Sequence, residues 1–153
     1  MNFNNIINRI KQINPEINFS GKFNKNNLKI GYWINYDEEG YISKGYYKSG
    51  FKSGLWRYYC YGALSSKGKY KNGNKEGLWK TYYNSDEKVY QVGSYLNGKQ
   101  NGLWKTYSHD GFLIAEGYYL NGQKHGEYIV YKVTGEKKYY YYMFGSLVIH
   151  EIN

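Results

Sequence analysis

The side chains best suited to nucleophilic, acid–base or metal chemistry near neutral pH are Cys60, His109, His125 and His150. They do not group. No two of them show the spacing of a metal-ligand set, and a single cysteine excludes both a two-cysteine metal site and a disulfide framework. His125 stands beside a repeated glycine and reads as part of a repeat rather than as a ligand. The 19 glycines offer no phosphate loop, because the recurring Gly-x-x-x-Gly spacing joins two strands with no helix N-terminus to receive an anion. The expectation is a protein with no enzymatic activity, no cofactor and no metal.

Binding chemistry is better supplied. Twenty-one Lys and Arg stand against 12 Asp and Glu, for a net charge of +9, and only two of the cations are arginines, Arg9 and Arg57. The 22 tyrosines, 4 tryptophans and 6 phenylalanines offset a mean hydropathy of −0.81, which alone would hint at disorder. An aromatic core is implied, because a tyrosine can bury its ring while its hydroxyl stays at the surface. No apolar run reaches the length of a signal peptide or the roughly 20 residues of a membrane span, so the reading is cytoplasmic.

These side chains are set out by a repeat. The pattern of Gly68 to Trp79, Gly-x-Tyr-x-Asn-Gly-x-x-x-Gly-Leu-Trp, recurs with small variations from Gly45 to Trp56, from Gly93 to Trp104 and from Gly117 to Tyr128. Its opening glycines Gly31, Gly54, Gly77, Gly102 and Gly126 lie 23, 23, 25 and 24 residues apart. Each is followed by an aromatic residue two positions on and a tyrosine five positions on, so five units fill residues 31–153. Asn72-Gly73, Asn97-Gly98 and Asn121-Gly122, with Ser49-Gly50 in the same place, signal type I′ hairpin turns. Pairing outward from a two-residue turn sets Gly68 opposite Gly77, Trp79 opposite Ser66 and Trp56 opposite Ser43.

Looser turns near residues 37–40, 60–62, 84–88, 108–111 and 133–135 join one unit to the next. The predicted fold is mostly β: a single-layer twisted antiparallel meander of eleven or twelve strands, about 50 by 20 Å. Residues 1–30 form a first section. In it Phe3, Ile6, Ile7, Ile10 and Ile13 fall at helical spacing up to Pro15, giving an N-terminal helical cap, and residues 18–30 form a degenerate half-unit. At the other end, Tyr140 replaces a glycine and Ser146-Leu-Val-Ile149 is apolar, which predicts a capping, buried final strand. An uncovered edge open to a second copy is the alternative.

The unit resembles the MORN repeat, and more closely the bacterial variant of it found beside toxin–antitoxin modules. Asn121-Gly-Gln-Lys-His-Gly126 is the segment nearest the family's pattern. The resemblance covers about four-fifths of the chain and implies the hairpin-repeat fold. For function it implies stoichiometric binding of another protein, as an antitoxin or immunity protein does, or as a phage-encoded inhibitor of a bacterial defence enzyme would.

On the predicted sheet the charges separate. Lys48, Lys52, Lys71, Lys75, Lys99 and Lys124 lie at the tight-turn edge, and Asp37, Glu38, Glu39, Asp86, Glu87, Asp110 and Glu136 at the loose-turn edge. The expected contact is the lysine edge with the adjoining Tyr47, Tyr70, Tyr95 and Tyr119, facing an acidic protein surface. Two other partners suit lysine and tyrosine: an anionic membrane surface, and single-stranded nucleic acid, met directly or through a nucleoprotein.

Overall fold

The computed structural model describes residues 21–37 and 39–150, with side chains described as far as residue 149. Twelve strands follow in chain order: β1 (Lys22–Phe23), β2 (Lys29–Tyr36), β3 (Tyr41–Lys48), β4 (Phe51–Cys60), β5 (Ala63–Lys71), β6 (Asn74–Tyr82), β7 (Val89–Leu96), β8 (Lys99–Tyr107), β9 (Leu113–Leu120), β10 (Gln123–Tyr131), β11 (Lys137–Met143) and β12 (Ser146–His150). They form one antiparallel sheet in sequential order, the meander that the turn spacing predicts. The degenerate half-unit contributes β1 through a turn in which Asn27 takes φ 58°. The expected N-terminal helix lies outside the described residues. Among the described residues no helix is long and apolar enough to cross a membrane.

The tight turns have the predicted geometry. Asn72 and Gly73 take φ 51° and 82°, and Asn97-Gly98, Asn121-Gly122 and Ser49-Gly50 match them. Each turn is also tied to the unit before it: the Gly73 N–H donates to the Lys52 carbonyl at 3.0 Å, Gly98 to Lys75 at 2.9 Å and Gly122 to Gln100 at 2.8 Å. The repeats are therefore linked by a ladder of turn-to-turn hydrogen bonds as well as by strand pairing.

The register differs from the sequence-based expectation. Lys69 pairs with Glu76 as a two-residue turn requires, but Gly68 then pairs with Trp79, so Gly77 and Leu78 form a bulge. The bulge falls at Gly77, where a φ of 65° departs from the extended strand. As a result Thr81 and Tyr58, not Trp79 and Trp56, face Ser66 and Ser43. Strands are also longer than six residues; β2 to β10 run to 8–10 residues each.

The final strand is not buried. Leu147, Val148 and Ile149 are 44%, 54% and 43% exposed, because β12 is the edge of a one-layer sheet and no described residue covers it.

The core is a stripe of rings on one face, here the ring face. Trp56, Trp79 and Trp104 are 0–4% exposed. Tyrosines alternate with them at centroid distances of 5.1 Å (Tyr47–Trp56), 6.1 Å (Trp56–Tyr70), 5.2 Å (Tyr70–Trp79), 5.9 Å (Trp79–Tyr95) and 5.2 Å (Tyr95–Trp104), all edge-to-face. Each indole lies on the bare backbone of a glycine one strand back, so that a Cβ on Gly68 would meet the Trp79 ring at 2.2 Å. The indole N–H then donates to the carbonyl beside the register break: Trp56 to Tyr46, Trp79 to Lys69 and Trp104 to Ser94, each at 3.1 Å.

Candidate protein-binding surface

The six lysines expected at one edge divide into two sets. Lys52, Lys75 and Lys124 fold back across the ring face four residues before their ring. Their amines stand 4.4 Å from Trp56, 4.4 Å from Trp79 and 3.7 Å from Tyr128, and Lys29 holds the same position 4.4 Å from Trp33. In the fourth unit the position is Gln100. Burial lowers the pKa of Lys52, Lys75 and Lys124, and for Lys52 the neighbouring charges of Lys29 and Lys75 add to it. Lys48, Lys71 and Lys99 instead stand exposed beside the tight turns. Of the six, this second set stands out into solvent.

The four tyrosines of the expected contact, Tyr47, Tyr70, Tyr95 and Tyr119, are all members of the ring stripe and are half-buried. Tyr70 shares a 2.7 Å hydroxyl hydrogen bond with Tyr58, which accepts one from Lys52 Nζ at 2.9 Å. Burial first, then this bond, pushes the Tyr58 hydroxyl well above the ordinary tyrosine range. These tyrosines hold the fold, and what they present outward is their rims.

The loose-turn edge is less acidic in effect than in sequence. Asp86 pairs with Lys88 at 3.1 Å and with His109 at 3.3 Å, and Glu136 pairs with Lys132 at 2.8 Å. Asp37 accepts the N–H groups of Glu39 and Tyr41 at 3.1 and 2.9 Å. Ser85, Asp86 and His109 meet here without forming a proton relay, because Ser85 Oγ and Asp86 Oδ2 both approach the same nitrogen, Nε2. A triad needs the two partners on opposite nitrogens. His125 Nδ1 accepts the Phe144 N–H at 3.4 Å and its ring lies 4.7 Å from Phe144, so it closes a turn, the position Glu76 fills for the Asn97 N–H. Cys60 is buried. No described cluster of His, Cys, Asp or Glu could hold a metal ion.

A feature of the opposite face was hidden from sequence reasoning. Lys44 pairs with Arg57, Arg57 with Lys67 and Lys67 with Lys80, placing four cations side by side across β3 to β6. Without the bulge, Lys67 would face Leu78 and the row would not exist. The repeated basic position just after the ring, at Arg57, Lys80 and Lys105, was the available signal. On the same face Leu55 and Leu78 stand beside the row and Leu103 two strands beyond it, 39%, 59% and 38% exposed.

Compared with models of known protein families and with curated proteins, the chain matches none.

Proposed function

We propose that this chain is a MORN-type repeat protein that binds another protein stoichiometrically and neutralises it by occlusion. The action would be that of an antitoxin or immunity protein, or of an inhibitor of a defence enzyme. The observation that carries this reading is the separation of the lysines. One set is spent on the ring stripe, while Lys48, Lys71 and Lys99 are held exposed at successive turns, fixed in mutual position by the hydrogen bonds from Gly50, Gly73 and Gly98 to the unit before. Such a fixed row suits an acidic protein surface and costs little side-chain ordering on the scaffold's part. Twelve strands at about 4.8 Å give a sheet over 50 Å long, ample for a contact of about 800 Å² per partner.

The test is capture from the native host followed by reconstitution. The expected outcome is a 1:1 complex with one protein whose activity falls linearly as the chain is titrated in. The Lys48→Glu, Lys71→Glu, Lys99→Glu variant should keep its fold and weaken capture at least tenfold. Undiminished capture by that variant would move the contact off this edge, and sub-stoichiometric loss of activity would argue for catalysis instead.

A further inference from the structure

Like charges placed directly opposite on neighbouring strands destabilise a sheet, and native sheets usually set an opposite charge between them. The row Lys44, Arg57, Lys67 and Lys80 does the reverse over four consecutive strands, a span of about 14 Å. Further along the same row the ordinary solution appears, where Lys105 meets Glu116 at 3.1 Å. Among the described residues none of the four cations takes part in an ion pair. Two of the four lie over tyrosines: the Lys44 amine is 4.4 Å from the Tyr59 ring and Lys67 5.4 Å from Tyr82.

The surroundings of the row say what kind of anion it fits. On its tight-turn side stand Leu55 and Leu78, both exposed, with Lys69 paired to Leu55 between them. Past Lys80 a hollow of about 370 Å³ opens, lined by Lys80, Lys88, Val89, Val92, Tyr107 and Gly111, so that two lysines border its apolar side chains. Cations flanked by aliphatic side chains and an apolar hollow match carboxylates interleaved with apolar side chains. Nucleic acid would instead ask for open aromatic faces, and Tyr59 and Tyr82 already carry lysine amines over their rings.

We infer that this face, from Lys44 to Lys80 with the hollow beside Lys80, is a docking surface for an acidic amphipathic segment of a partner protein. Glutamates or aspartates of the segment meet the four cations, and its apolar side chains rest on the leucines and in the hollow. This rests on the protein-binding reading above and adds to it a second contact, along the middle of the face at whose tight-turn edge Lys48, Lys71 and Lys99 stand.

The experiment uses the full chain and a synthetic 18-residue helix-forming peptide with four glutamates along one side and leucines beside them. Single-stranded oligothymidylate of the same length is the competing probe. Fluorescence anisotropy at about 0.15 M salt, where charges more than about 8 Å apart are largely screened, should show binding that weakens at least tenfold in Lys67→Gln, Lys80→Gln and by a clearly smaller factor in Lys48→Glu, Lys71→Glu, Lys99→Glu. The midpoint of thermal unfolding should hold or rise in Lys67→Gln, Lys80→Gln, because repulsion is removed; a merely structural row would lose stability. Peptide binding lost in the turn variant but kept in the row variant overturns the docking face and leaves the protein-binding reading standing. Failure of the wild-type chain to bind the peptide, or tighter binding of the oligothymidylate through Lys67 and Lys80, overturns the inference as well. The protein-binding reading is tested separately, and falls if the host capture above yields no partner or if the partner's activity is lost sub-stoichiometrically.

Discussion

Two kinds of glycine recur in each unit for opposite reasons. Gly68 has an extended backbone but no room, since an added Cβ would sit 2.2 Å from the Trp79 ring; Gly77 has room but a φ of 65° that disfavours a side chain. Gly68→Ala must push the indole off its seat, at a cost of about 1–3 kcal/mol. Gly77→Ala carries a backbone cost of about 1 kcal/mol and moves no ring. Urea titration followed by tryptophan emission separates them: both lower the midpoint, but only Gly68→Ala changes the emission of the folded state. Asparagine at residue 77 should recover much of the loss, because it tolerates the left-handed region. Recovery by asparagine at residue 68 would contradict this assignment.

At the scale of strands, side chains on the opposite face staple neighbours together. Glu116 on β9 accepts a 2.6 Å hydrogen bond from the Tyr131 hydroxyl of β10 and pairs with Lys105 of β8. The Tyr131 bond first, then Lys105, holds the Glu116 carboxyl below its ordinary 4.5, while Glu116 pushes the Tyr131 hydroxyl up to about 12. A carboxyl depressed in the folded state contributes stability that is whole above about pH 4.5 and is lost as pH falls through its folded value. The tyrosine contributes stability that is whole below about pH 10 and is lost as pH rises through about 12. Melting temperatures across pH 3–7 should therefore fall less steeply on the acid side in Tyr131→Phe than in the parent chain. Parallel curves would show that the staple adds nothing measurable.

As a whole the molecule is a one-dimensional array, in which each unit is stabilised mainly by its neighbours. Trp79 touches the rings of Tyr58, Tyr70 and Tyr95 in the middle of the sheet, whereas among the described residues Trp33 meets the rings of Phe23 and Tyr47, with a two-residue strand beside it. Trp79→Ala should cost about 3–5 kcal/mol and lower the stability of the whole sheet. Trp33→Ala should cost less in global unfolding and act mainly by fraying β1 and β2. Hydrogen exchange resolves the two: amides of β5 to β7 should lose protection in the first variant and keep it in the second. Equal losses across the sheet in both would show a fully cooperative molecule rather than an array.

The hairpins, their order and the turn type were legible because they depend on local chemistry. Asn72-Gly73 and its equivalents dictate a turn wherever they occur, and a 23- to 25-residue period with two strands per turn leaves a meander as the simple solution. That rings form the core was also legible, from the number of aromatic residues and the fixed place each ring keeps in its unit, although the turn arithmetic set Trp79 against Ser66 rather than Gly68. The bulge at Gly77 was not, because its φ is set by the need of the Trp79 indole to reach a glycine on one side and the Lys69 carbonyl beside it. That shift of two residues decided everything downstream. It moved Trp79 from Ser66 to Gly68, put Lys67 against Lys80, and so produced the cationic row that no strand shows alone. The same holds for the lysines: sequence placed Lys52, Lys71 and Lys75 at one edge, and only the packing of amines over rings decided which face inward. A period in the chain fixes which residues repeat; register and ring packing, which depend on contacts across strands, fix which of them remain free to bind.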